Sequence, residues 1–92
     1  MIDINQKIAI SPAYRFQWEE AQQCYVLLYP EGMIQLNFSA GEILKYCVIP
    51  EQSVATVLQS IQQAFPEIVD IRSDVFAFLE VAHKNGWITL TE

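Results

Sequence analysis

The chain has a single histidine, His83, and two cysteines, Cys24 and Cys47, with no C-x-x-C spacing. Those are too few ligands for the usual zinc sets, so no metal site is expected. Its three glycines, Gly32, Gly41 and Gly86, are scattered, and none belongs to a phosphate-cradling loop. No Ser or Cys has a base beside it in any catalytic spacing, so no catalytic residue is assigned and no enzyme activity is expected. Cations are scarce as well: five Lys and Arg stand against eleven Asp and Glu, a net charge of −6. Phosphate binding needs clustered cations, so nucleic acid is a poor partner, whereas a basic or mixed-charge peptide suits the acidic surface better. No apolar stretch approaches the ~20 residues of a membrane span. The N-terminal MIDINQKIAISPAYR has an early Asp and no apolar run of signal-peptide length. A soluble cytoplasmic protein without a membrane partner is expected.

What is present is apolar. Of 92 residues, 52% are hydrophobic and 12% aromatic, enough for one domain spanning 1–92 with one modest core. With so few cysteines, two buried free thiols are expected rather than a disulfide. Glu19-Glu20 resembles a carboxylate pair but reads as solvated loop. His83 falls late in a helix, where a cation suits the dipole, and reads as a partly exposed side chain.

The first twelve residues carry Ile2, Ile4, Ile8 and Ile10 in loose alternation. They are expected to be extended in part, and either mobile or exchanged between two chains; a monomer and a swapped homodimer are equally open. Tyr14 to Trp18 alternates apolar and polar, the period of a half-buried strand. Cys24-Tyr25-Val26-Leu27-Leu28-Tyr29 is a continuous apolar run, which fits a central strand buried on both faces. Pro30-Glu31-Gly32 predicts a three-residue hairpin with Gly32 in the left-handed conformation. The return strand is expected over Met33–Phe38, with Ile34, Leu36 and Phe38 on one face. Ser39 and Glu42 have capping-box spacing, which predicts a first helix from Ala40. Pro50 ends it. Ser53 caps a second helix whose Val54, Val57, Leu58, Ile61 and Phe65 form one apolar stripe. A third begins near Ser73 and stops at Asn85-Gly86. Trp87 to Leu90 is a short last strand or a packed tail. The predicted fold class is α+β: a three-stranded antiparallel N-terminal sheet followed by three helices, in the manner of a winged helix-turn-helix.

That outline invites a DNA-binding reading, but a recognition helix presents Arg, Lys, Asn or Gln to base edges. The third helix offers Lys84 and Asn85 only at its end, with Asp74 and Glu80 in the way. A peptide is the better partner. The third helix carries Val75, Phe76, Phe78, Leu79, Val81 and Ala82, an apolar face wider than one side of a small core demands. For Phe76, burial in the core and a groove position are equal alternatives. The return strand lies at a sheet edge, where an extended peptide can add by backbone bonds.

The run Arg15-Phe16-Gln17-Trp18-Glu19, then Leu27-Leu28-Tyr29-Pro30-Glu31-Gly32, then Leu36-Asn37-Phe38-Ser39-Ala40 with Ile43-Leu44, resembles the PqqD family of pyrroloquinoline quinone biosynthesis. Val57, Phe65-Pro66, Asp74-Val75, Phe78-Leu79-Glu80 and Gly86-Trp87 continue the likeness, so it covers nearly everything from Tyr14 to Trp87. One departure is Val48-Ile49-Pro50 after Cys47, where many members read Asp-Gly. The resemblance implies a non-catalytic peptide chaperone without a cofactor. It would bind the ribosomally made precursor peptide PqqA and present it to the radical S-adenosylmethionine enzyme PqqE, which joins a Glu and a Tyr side chain of that peptide. It also implies that the peptide adds as a strand beside the third strand and lies against the third helix. On that basis Met33, Ile34, Gln35, Leu36 and Asn37 supply the backbone ladder. Val75, Phe76, Leu79 and His83 line the groove, with Phe76 and His83 its more exposed members. The alternatives are leader recognition in another ribosomal peptide pathway and, from a different class, a winged-helix transcription factor.

Overall fold

The computed structural model describes residues 2–92. Its elements run β1 (Lys7–Ile10), β2 (Arg15–Glu19), β3 (Cys24–Tyr29), β4 (Gly32–Gln35), α1 (Phe38–Cys47), β5 (Gln52–Ser53), α2 (Val54–Ala64), α3 (Ile71–Lys84) and β6 (Ile88–Thr91). The architecture is α+β, an antiparallel sheet leading into three helices, as expected. The expected meander is there, in the order β2-β3-β4. Val26 and Leu27, adjacent on β3, are both fully buried, which is what a central strand covered on both faces requires.

A second sheet, ordered β5-β1-β6, adds to the outline drawn from sequence. β1 is its middle strand, pairing Ile8 with Leu90 of β6 and with Gln52 of β5. Ile2 and Ile8 are buried in the core, while Ile4 is exposed. The arm is therefore extended and packed on its own chain, and the C-terminal residues form a strand because β1 supplies their partner. Weak alternation in each segment hid a pairing whose two halves lie some eighty residues apart.

Three local expectations are corrected. The hairpin loop is two residues, Pro30-Glu31, closed by the pair Tyr29 and Gly32. Gly32 is not left-handed; among the described glycines only Gly86 has positive φ, at 78°. Without positive φ at Pro30 or Glu31, type II and the primed turns are excluded, and proline at the first central position suffices to set the bend. The cap of α1 is Asn37, not Ser39, so the helix starts two residues early and β4 stops at Gln35. The Asn37 Oδ1 accepts the Ala40 amide at 2.8 Å, and the Ser39 hydroxyl only supports that oxygen at 3.2 Å. Asn is as good an N-cap as Ser, and the earlier one prevails. The third helix begins at Ile71, behind a left-handed Asp70 that makes no side-chain cap. α2 follows its expectation, with Ser53 and Thr56 exchanging capping bonds and Val54, Val57, Leu58 and Ile61 buried.

One core joins these parts. Leu27 and Leu36 of the meander side meet Ile43, Leu44 and Cys47 of α1, Val57 and Ile61 of α2, Val75 and Leu79 of α3, and Ile8 and Ile88 of the second sheet. α1 packs on β3 and α2, and α3 on α2 and β6.

Candidate functional site

The edge of β4 can be resolved atom by atom. The Leu36 amide donates to the Tyr25 carbonyl at 3.0 Å, so Tyr25 and Leu36 are a hydrogen-bonded pair. In an antiparallel ladder such pairs alternate with non-bonded ones. The register pairs Val26 with Gln35, Leu27 with Ile34 and Leu28 with Met33. Ile34 thus turns its N–H and C=O toward β3, while Met33 and Gln35 turn theirs away from the sheet. Asn37 has the same outward parity at its amide, but its carbonyl accepts the Gly41 amide at 3.0 Å inside α1. No other strand covers this edge among the described residues.

The strand is held firmly behind that edge. On the helix-facing side of the meander, Phe16 stacks on Tyr25 at 4.7 Å and Trp18 meets Tyr25 edge-on at 5.0 Å. Helix α1 approaches the Tyr25 ring so closely that a Cβ at Gly41 would stand 2.9 Å from it. Glycine is required there by space rather than by backbone conformation. On the opposite face, the Gln35 side chain donates to Gln22 at 2.9 Å.

The residues singled out from sequence fall in distinct environments. Met33, Gln35 and Asn37 are exposed, Ile34 is half-buried, and Leu36 is buried. On α3, Val75 and Leu79 belong to the core, so the apolar stripe is spent chiefly on folding. Phe76 is half-buried, with the Arg72 guanidinium 5.1 Å above its ring. His83 is exposed in the last turn, about 12 Å along the helix from Val75.

Sequence reading passed over the most exposed aromatic. Phe38 was expected in the return strand, on one face with Ile34 and Leu36; as the first residue of α1 it is 73% exposed. The signal was present in Asn37, whose spacing to Ala40 suits a cap as well as Ser39 does. Phe38 stands between two hollows. One, of about 280 Å³, is lined by Trp18, Tyr25, Leu36, Asn37 and Glu42. The other, of about 140 Å³, lies between the three helices and is almost wholly apolar, lined by Ile43, Ile61, Phe65, Ile68, Ile71 and Val75, with Glu42 and Asp74 also on its wall. Phe38 meets Phe65 edge-on at 6.2 Å across the second.

The charged residues that line these two hollows are acidic. Glu42 accepts from the Lys45 ammonium at 3.0 Å, and that hydrogen bond holds the Lys45 pKa above its ordinary value. Asp74, in the first turn of α3, forms no ion pair among the described residues. Cys47 is buried, and loss of solvent pushes its thiol up to about 12. Both cysteines are free thiols, and among the described residues no group of side chains is disposed to hold a metal ion. No described helix is long and apolar enough to cross a membrane.

An edge with outward backbone groups, beside apolar hollows under an acidic rim, is disposed to hold an extended peptide. Comparison with known proteins agrees with the sequence resemblance. The family model described as coenzyme PQQ synthesis protein D matches residues 24–88. A protein of Pseudomonas aeruginosa (strain UCBPP-PA14) named PqqA binding protein is 54% identical over 77 residues, covering 84% of this chain and 83% of its own length. Proteins of the same name from Azotobacter vinelandii, 51% identical over 84% of this chain and 83% of theirs, and from Pseudomonas entomophila, 47% identical over 96% of each, are similar to it as well. No solved structure matches it. With the family model covering most of the chain and relatives this close, the chain belongs to the PqqD family, the coenzyme PQQ synthesis protein D family.

Proposed function

We propose that this chain is the peptide chaperone of pyrroloquinoline quinone biosynthesis. It binds the precursor peptide PqqA in the cytoplasm and presents it to the radical S-adenosylmethionine enzyme PqqE, taking no chemical part itself. The observation that carries this reading is the unpaired edge of β4, with the Met33 and Gln35 N–H and C=O groups aimed outward. PqqA adds there as a strand along Met33, Ile34, Gln35, Leu36 and Asn37. Within that ladder, Met33 and Gln35 make the backbone bonds, and Ile34 and Leu36 hold the strand to β3 and the core. The peptide then passes the α3 side, where Phe76 and His83 offer surface and Val75 and Leu79 form the floor beneath. The names of the relatives support PqqA as the ligand.

Calorimetric titration with a synthetic PqqA peptide, with a scrambled peptide beside it, tests the reading. Saturable one-to-one binding of the true sequence alone is expected, with amide shifts concentrated at Met33–Asn37. Gln35→Pro removes one outward donor at an edge, where proline is tolerated, so the variant should fold and bind at least about tenfold more weakly. Absence of heat and of shifts with folded protein would sink the reading. A folded Gln35→Pro variant of full affinity would move the peptide off β4.

A further inference from the structure

An apolar hollow is left open at the end of the strand edge. Phe38 lies three residues beyond Gln35, within ~11 Å of chain. It borders a 140 Å³ space closed by Ile43, Ile61, Phe65 and Ile71. The exposed Ile68 stands at its mouth, 45% accessible, and the neighbouring Val69 is 82% accessible. Phe38 and Ile68, both exposed, border the same hollow, the kind of grouped apolar surface that marks an interaction site. An engineered apolar cavity of about 150 Å³ admits a benzene ring, so this one has room for one large side chain. Its polar wall carries two acids: Glu42 has Lys45 as a partner, while Asp74 forms no ion pair among the described residues.

We infer that this hollow is a second anchor point for the bound peptide, taking one large apolar side chain that has a Lys or Arg within a residue or two of it. The inference rests on the peptide reading above and adds to it where along the peptide selectivity lies. The β4 edge reads backbone and is indifferent to sequence; the hollow reads a side chain. Phe38 forms one wall and supplies apolar contact to the inserted side chain. The asymmetry between a partnered Glu42 and an unpartnered Asp74 assigns the cation to Asp74. An acidic flank sets like charge against the exposed Asp74 and is disfavoured.

The test is a set of titrations with synthetic PqqA at two salt concentrations, using wild type, Phe38→Ala, Ile68→Ser and Asp74→Asn. All three positions are surface ones, so melting curves should overlay that of wild type. Phe38→Ala and Ile68→Ser should each weaken binding by about tenfold or more with an unchanged salt dependence. Asp74→Asn should weaken it several-fold and flatten the salt dependence. Replacing each Lys or Arg of the peptide in turn by Gln should reveal one position whose effect vanishes in Asp74→Asn. If wild type binds and the three variants bind equally well, the hollow is not an anchor and only this inference fails. If wild type does not bind, the peptide reading itself fails. A second copy is the competing occupant: a wild-type dimer in sedimentation that Phe38→Ala dissolves, with peptide affinity unchanged, overturns the inference too.

Discussion

Asn37 decides where strand ends and helix begins. Its side chain accepts the Ala40 amide while its carbonyl accepts that of Gly41, so one residue closes the first turn of α1 and turns Phe38 outward. Asn37→Ala should cost about 1 kcal/mol in urea unfolding, whereas Ser39→Ala should stay within ~0.5 kcal/mol. Equal losses would return the cap to Ser39. Cys47 makes a second prediction at this scale. Its thiol, donating at 3.6 Å to the Ile43 carbonyl, is buried and raised from 9.0 to about 12. Burial favours the protonated form, so between those values the unfolded chain loses a proton that the folded chain keeps. The Cys47 contribution is fully present below pH 9 and declines above it by up to ~1.4 kcal/mol per pH unit. Denaturation between pH 8 and 11 should show that fall in wild type and a shallower one in Cys47→Ala. In native protein at pH 8 a thiol reagent should modify the half-buried Cys24 well before Cys47. Equal rates for the two would mean that the core opens far more readily than its packing implies.

At the scale of elements, adjacent residues of β4 have opposite duties. Ile34 faces its backbone to β3 and Gln35 faces solvent, so Ile34→Pro breaks an internal ladder bond while Gln35→Pro does not. The first should lower the melting temperature markedly and the second little; if both fall alike, the outward assignment of Gln35 is wrong. What was legible in the sequence follows the same division. β2, β3 and the stripe of α2 were read correctly because their periodicity is strong and local: Phe16 alternates with Gln17, and Val54, Val57, Leu58 and Ile61 keep helical spacing. Phe38 was misplaced because Leu36-Asn37-Phe38 also fits a strand, and only the competition between Asn37 and Ser39 as cap decides it. The second sheet was illegible for a different reason. β1 and β6 are four residues each, and neither is a strand until the other lies beside it. The hollow could not be read at all, since Phe38, Ile61 and Ile71 meet only through the packing of three helices.

For the whole molecule, the second sheet ties the two ends of the chain into the fold. The N-terminal arm does more than add a strand. The carbonyls of Gln6 and Ile4 accept the amides of Val54 and Ala55 at 2.9 Å each, so the arm caps the start of α2 that Ser53 only partly satisfies. Together with Ile2 and Ile8 in the core and pairing to both β5 and β6, this makes the arm part of the folding unit. The exposed Lys7–Glu51 ion pair adds little. Ile8→Ala empties a fully enclosed position and should cost about 2–5 kcal/mol. Every kilocalorie lost should lower the melting temperature of a domain this size by ~4–8 °C. Removing residues 1–10 should abolish the cooperative transition, because α2 then keeps unpaired amides and β6 has no partner. Adding a synthetic peptide of residues 2–12 should restore it, which would show that the arm acts by its contacts and not by its covalent attachment. Meanwhile β4 belongs to the other sheet, so under the proposed docking the arm and the precursor peptide would not compete for an edge. In melting and titration experiments run side by side, Ile8→Ala should lose stability at unchanged peptide affinity, and Phe38→Ala should lose affinity at unchanged stability. A loss of affinity in Ile8→Ala under conditions where it is fully folded would mean that the arm reaches the binding site through the core, and the two sheets would then have to be treated as one cooperative surface.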